Sequence, residues 1–194
     1  MRIALTGGIA CGKSLFAKFL RELGIQVIDA DDVVHELEAP GGAAVPSIVA
    51  RFGQEVIAPD GGVDRAALAD RVFKDESARA DLEAIIFPLV RSCLRENTQR
   101  TIHIIPLLFE SHWETDYDIL LCIASPVDLQ IARMMTSRGY SRAHAEARLA
   151  AQWPVAEKAA RCHYTVMNDS TPEHLRDEAE RLVVWLKERI KHEC

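Results

Sequence analysis

The chain has 194 residues, 48% of them hydrophobic and 6% aromatic, with a formal net charge of −6 at pH 7. This length fits one domain with inserts, the apolar fraction supports a real core, and the negative balance excludes a surface that is a nucleic-acid footprint throughout. No apolar run approaches the roughly 18 residues of a membrane span, and the chain begins directly with a strand-like run and no signal-peptide pattern, so neither a membrane nor a nucleic-acid partner is expected.

The first element is a strand, Ile3-Ala4-Leu5, followed by Gly7-Gly8-Ile9-Ala10-Cys11-Gly12-Lys13-Ser14. That stretch fits G-x-x-x-x-G-K-[ST], the phosphate-binding P-loop. Phe16, Phe19, Leu20 and Leu23 then recur at helical spacing. A glycine-rich loop between a strand and a helix aims backbone N–H groups and a helix N-terminus at an anion. Gly8, Ile9, Ala10, Cys11, Gly12, Lys13, Ser14 and Leu15 are therefore the candidate ATP contacts. Lys13 is expected at the β- and γ-phosphates and Ser14 at Mg²⁺.

Residues 25–28 read as a second strand with Asp29, Asp31 and Asp32 at its carboxyl end, where ligands bind in open α/β sheets. We expect one carboxylate, Asp32, to cap the next helix, and Asp29 and Asp31 to serve metal positioning and proton acceptance. Residues 33–97 hold helical patterns and no core strand, with Asp64 as an N-cap and Pro88 interrupting one helix or starting the next. The stretch is too long for a plain crossover and reads as a helical insert that builds a substrate pocket.

Thr101–Ile105 is the third strand, with Glu110 beyond its end as a substrate-orienting group, a metal contact through water or a surface helix cap. Residues 119–124 form the fourth strand, and Ser125-Pro126-Val127-Asp128 opens a helix carrying Arg133. Arg138, Gly139 and Tyr140 lead to a second helix with Arg142, Arg148 and Gln152, stopped by Pro154. This arginine-bearing pair, about 133–161, suggests a lid whose guanidinium forks match transferring phosphoryl charge, with Arg142 and Arg161 on a solvated face. His163–Met167 is the fifth strand, Asn168-Asp169-Ser170 ends it, and the last helix keeps Leu175, Ala179, Leu182, Leu186 and Ile190 as a core stripe.

The five cysteines, Cys11, Cys93, Cys122, Cys162 and Cys194, form no C-x-x-C pair, and the seven histidines form no H-E-x-x-H pattern. A reduced, cytoplasmic protein without a zinc site is expected. Cys11 has two readings: a thiol partly ionised by the helix N-terminus and Lys13, hence open to oxidation or alkylation, or a small residue with its thiol turned inward.

Several ordered stretches carry a family resemblance. They are the P-loop, Val27-Ile28-Asp29-Ala30-Asp31, Asp60-Gly61 with Val63-Asp64-Arg65 and Leu68, and Pro106-Leu107-Leu108-Phe109-Glu110. Arg148-Leu149-Ala150-Ala151-Gln152 with Pro154, Glu157 and Lys158 completes the set. Along almost its whole length the chain resembles dephospho-CoA kinase. The resemblance implies an α/β P-loop kinase fold, a five-stranded parallel sheet flanked by helices. It implies a core of about 1–32, 98–132 and 162–194, a CoA-binding helical insert of about 33–97 and a lid of about 133–161. The implied reaction is ATP-dependent phosphorylation of the ribose 3′-hydroxyl of dephospho-CoA, the final step of coenzyme A biosynthesis; the oligomeric state stays open, with a monomer favoured. Lys13, Asp31 and Arg138 are the implied catalytic residues, with Asp31 as base or orienter of the hydroxyl. Arg133 and Asn168 join the ATP contacts, the latter near the adenine. Arg65, Leu108, Glu110 and Arg148 join Asp31 at dephospho-CoA, and Ser14 and Asp29 hold Mg²⁺.

The chain departs from the family pattern at Ala10-Cys11, where Gly-Ser is commoner, at Leu15, at Phe87 before Pro88, and at Cys162-His163-Tyr164. Arg133 and Arg138 also stand one residue further apart than the usual pair. A nucleoside or nucleotide kinase on the same scaffold is a rival reading, which the D-G-x-x-D-R and P-L-L-F-E stretches oppose. A GTP-dependent switch is another, opposed by the lack of an N-K-x-D motif.

Overall fold

The computed structural model describes residues 1–96 and 101–191. Cys194, the side chain of Ile190 and the expected insert–core junction at 97–98 lie outside the described residues. The strands are β1 (Ile3–Gly7), β2 (Gln26–Asp29), β3 (Thr101–Ile104), β4 (Ile119–Ala124) and β5 (Tyr164–Met167), in sheet order β2-β3-β1-β4-β5. β1 runs parallel to β3 and β4, in register at Ile3↔Ile102 and Ile3↔Ile119, and β4 runs parallel to β5. Every residue of β1, β3 and β4 is buried. That is why these strands read as continuous apolar runs rather than alternating ones: both faces are covered.

The chain leaves β1 toward β2 on one side and leaves β3 toward β4 on the other, so the winding reverses between β1 and β3. The crevice beyond the carboxyl ends at such a reversal is where α/β sheets bind ligands. Gly7 ends β1 there. The turn that follows β3, residues 105–110, lies beside it, with Ile105 N–H donating to Leu5 O at 2.9 Å.

The chain divides into two compact units, Met1–Val27 with Gln99–Cys194, and Ile28–Thr98. In the first, α1 (Lys13–Glu22) buries Phe16, Ala17, Phe19 and Leu20, and it packs on α9 (Pro172–Lys191). This apolar face places the start of α1 directly after the phosphate loop. α6 (Val127–Arg138) packs on α7 (Arg142–Ala150), and α8 (Val155–Arg161) packs on β4 and β1. The segment after Pro154, expected within the lid of about 133–161, is therefore a helix packed on the sheet.

The second unit holds α2 (Ala30–Glu38), α3 (Val45–Phe52), α4 (Arg65–Lys74) and α5 (Glu76–Glu96), the other three all packing on α5. Pro88 sits inside α5 and does not end it. Burial of Ile86, Val90 and Leu94 on either side of the proline outweighs the hydrogen bond it lacks. Asp64 caps α4, accepting from Ala66 N and Ala67 N at 3.1 Å each. Among the described residues no helix is long and apolar enough to cross a membrane.

Phe16 has no exposed surface and belongs to the core cluster beneath the phosphate loop. Phe16→Ala is expected to lower stability by about 3–5 kcal/mol, the range for a truncated core aromatic. Urea unfolding followed by circular dichroism measures it, and a midpoint close to that of the unmodified protein contradicts the packing described.

Candidate active site

The loop between β1 and α1 turns on itself, with Cys11 N–H donating to Gly8 O at 3.3 Å. Gly12 precedes α1 in the left-handed region, φ 91°, and a Cβ built on it falls 2.2 Å from Asn168 Nδ2. Only glycine satisfies both conditions. Ala10 also takes a positive φ, 57°, where an L side chain costs about 1 kcal/mol or more. Gly12 offers α1 no side-chain cap and the first turn carries no acidic residue, which leaves its N–H groups for an anion.

The loop is held from behind through its carbonyls. Asn168 Nδ2 donates to Cys11 O at 2.9 Å, and Arg133 Nη1 donates to Ala10 O at 3.3 Å and to Ser125 Oγ at 3.0 Å. Arg133 Nη2 reaches Asn168 O at 3.2 Å and Asn168 Oδ1 at 3.3 Å. Ser125 Oγ donates to Asn168 O at 2.7 Å, and buried Gln130 donates to Ser125 O at 2.9 Å. Asn168 is itself buried. Its amide is thus engaged by the phosphate loop and Arg133, where the resemblance places it near the adenine. Arg133 acts on the loop in the same way.

Lys13 Nζ donates to Gly7 O at 3.0 Å and Gly8 O at 2.8 Å, which keeps the ammonium over the loop. Ser14 and Leu15 are exposed at the start of α1. Arg138, in the last turn of α6, is exposed, as is Arg148, whose Nε lies 3.4 Å from His144 Nε2 on α7. Arg142 pairs with Glu146 at 2.9 Å, and the Arg161 guanidinium lies 4.7 Å from the Trp153 ring centroid.

Two other expected contacts turn inward. Leu108 has no exposed surface and offers none to a ligand. Glu110 Oε1 lies 2.7 Å from Nζ of fully buried Lys158 and accepts Trp153 N–H at 2.9 Å. Lys158 is the residue that pattern reading passed over. Nothing local signals its burial, since Ala156 and Ala160 on the same helix are exposed.

In the second unit the cap expected of Asp32 belongs to another carboxylate. Asp29, not Asp32, caps α2: its Oδ1 accepts Asp31 N–H at 3.0 Å from an extended backbone, while Asp31 and Asp32 lie inside the helix. A cap must precede the first helical residue, and α2 starts at Ala30. Asp31 is exposed in the first turn. Arg65 pairs through Nε with Glu38 Oε2 at 3.0 Å and also contacts His35. Burial pushes the Glu38 carboxyl above its usual range, and Arg65 and His35 pull it back only in part.

Cys11 has no exposed surface and joins the core cluster. Burial pushes its thiol up, and the opposing pull of Lys13 and of a hydrogen bond with Ser125 does not prevail. The reading of a reactive, partly ionised Cys11 is thereby corrected, because desolvation of a thiolate outweighs the nearby positive charge.

A family model described as CoaE, dephospho-CoA kinase, matches residues 1–174. The dephospho-CoA kinase of Anaeromyxobacter dehalogenans is 45% identical over 193 residues, covering 95% of this chain and 92% of its own. A solved structure from Thermus thermophilus superposes with a TM-score of 0.82 at 32% identity, covering 96% of this chain and 97% of its own. The dephospho-CoA kinase from Campylobacter jejuni superposes at 0.71 and 26% identity, covering 95% of this chain and 96% of its own.

Native protein treated with iodoacetamide is expected to leave Cys11 unlabelled until the chain is unfolded in denaturant, because a buried, protonated thiol is a poor nucleophile. Peptide mass spectrometry checks this. Early label on Cys11, ahead of half-buried Cys93 and Cys162, contradicts the inward placement.

Proposed function

The chain belongs to the dephospho-CoA kinase family, and on that premise we propose how its residues perform the ATP-dependent phosphorylation of the dephospho-CoA ribose 3′-hydroxyl, the last step of coenzyme A biosynthesis. The observation that carries the assignment is the phosphate loop whose carbonyls are drawn back by Asn168 and Arg133. Apart from that of Cys11, which is turned onto Gly8 O, the N–H groups from Gly8 to Leu15 receive the β- and γ-phosphates. Lys13 exchanges the Gly7 and Gly8 carbonyls for phosphate oxygens and meets the charge that grows in the transition state.

Asp31 accepts the proton of the acceptor hydroxyl. Its exposed position in the first turn of α2, with Asp29 ordering that turn, supports this role. Arg138 and Arg148, both solvent-facing, supply charge to the transferring phosphoryl group and to dephospho-CoA respectively. Arg65, anchored by Glu38, contributes to substrate binding through its remaining donors. The moving part of the lid is 139–152, since α8 is packed on the sheet.

Mg²⁺ bound with ATP neutralises phosphate charge during transfer. Among the described residues no group of three or more His, Cys, Asp or Glu side chains is arranged to hold a metal. That fits an ion held by one or two protein oxygens with the rest from phosphates and water. Exposed Ser14 Oγ and the Asp29 carboxylate are the two we assign. The enzyme acts in the cytoplasm as a monomer, without membrane or nucleic-acid partners. Cys11, Cys122 and Cys162 are free thiols, as a reducing compartment keeps them.

A coupled assay with dephospho-CoA, ATP and Mg²⁺ is expected to yield CoA and ADP in equal amounts, and EDTA is expected to stop it. Turnover with nucleoside monophosphates but not dephospho-CoA refutes the substrate, and undiminished turnover in EDTA refutes the metal.

Asp31→Asn is expected to lower turnover by roughly 10²–10⁴-fold, the general-base range, while ATP affinity stays near that of the unmodified enzyme. The reverse pattern, intact turnover with lost Mg²⁺–ATP affinity, exchanges the roles of Asp31 and Asp29.

A further inference from the structure

The reaction as described uses neither Lys158 nor Glu110, although they form a deeply buried ion pair, with side chains 0% and 17% exposed. Lys158 Nζ lies 2.7 Å from Glu110 Oε1 and donates to Pro106 O at 2.9 Å. The same Pro106 carbonyl accepts Thr6 Oγ1 at 3.2 Å, one residue before the phosphate loop begins. Glu110 Oε1 also accepts Trp153 N–H at 2.9 Å, and the Trp153 ring stacks on Phe109 with centroids 6.0 Å apart. One buried charge therefore joins four segments: α8, the turn after β3, the end of β1, and the α7–α8 connection.

Stability is a poor reason for this arrangement. Both ions lose their hydration, and Glu110 Oε2 is buried without a hydrogen-bond partner. An apolar pair of similar volume stabilises at least as well as such an ion pair. What the pair supplies is placement. The turn 105–110 borders the crevice opposite the phosphate loop across the β1/β3 reversal. The phosphate loop is already held from behind by Asn168 and Arg133, so the two tethers serve different walls.

We propose that Lys158 and Glu110 are a positioning pair for the acceptor: they touch neither substrate, and by fixing the turn 105–110 and Trp153 they align the accepting hydroxyl with the γ-phosphate. This rests on the phosphate-loop reading above. A misalignment of about 1 Å costs roughly 10²-fold in rate without abolishing binding.

The test replaces both charges in the full chain with apolar side chains of similar size, Glu110→Leu with Lys158→Met, so that no ion is left unpaired. The double variant is expected to melt within a few degrees of the unmodified protein and to bind a fluorescent ATP analogue with affinity within about twofold. Its kcat/KM for dephospho-CoA is expected to fall by about tenfold or more, on the same alignment argument. Should that variant fail to fold, Glu110→Gln keeps the shape and the acceptor for Trp153 N–H and is read by the same split. Unchanged kcat/KM for dephospho-CoA, or a parallel loss of ATP-analogue affinity, overturns the proposal. An unmodified enzyme that leaves dephospho-CoA untouched overturns instead the reading on which it rests.

Discussion

A loop can offer its peptide N–H groups to an anion only if its carbonyls point elsewhere. The peptide unit is planar, so drawing back the carbonyl of one residue fixes the direction of the next residue's N–H. In this protein Arg133 holds the carbonyl of Ala10 and Asn168 that of Cys11, which turns the Cys11 N–H onto the Gly8 carbonyl and orients the Gly12 N–H toward the anion. The hydroxyl of Ser125 and the amide of Gln130 in turn hold Asn168 and the start of α6 in place. The cradle thus depends on residues at the ends of β4 and β5, both beside β1 or one strand removed from it.

The same economy appears among the charged side chains. Three arginine and lysine residues, two of them expected as ligand contacts and one passed over, are bound to the protein itself. Arg133 braces the loop, Arg65 pairs with Glu38, and Lys158 pairs with Glu110. Arg138 and Arg148 remain facing solvent. Cations of the first kind hold the protein's own groups in place; in the proposed reaction those of the second kind meet charge that arrives with substrate.

Much of this was legible in the sequence because local patterns carry it. The P-loop spacing, the apolar runs of β1, β3 and β4, and the i, i+3, i+4 spacing of α1 each reflect a short-range rule that the structure obeys. The second tier was not legible, because it is made of contacts between residues far apart in the chain. Asn168 looks like a strand-end polar residue until it is seen 2.9 Å from Cys11 O. Cys11 next to a lysine looks activated until its burial is known. Asp29 and Asp32 are equally good caps on paper, and only the first residue of α2 decides between them. Pro88 looks like a break because its neighbours' burial against α2, α3 and α4 is a tertiary fact.

The bond from Asn168 to Cys11 spans 157 residues, and it has a bearing on the birth of the protein. A ribosome makes the phosphate-loop motif first and delivers its brace 157 residues later. At about 5–20 residues per second, on the order of ten to thirty seconds separate the two. Through that interval the nascent chain carries the motif with nothing to hold its carbonyls back, so it has no competent anion cradle. The ability to grip nucleotide arrives late, together with β5, when the strands that surround β1 are all in hand.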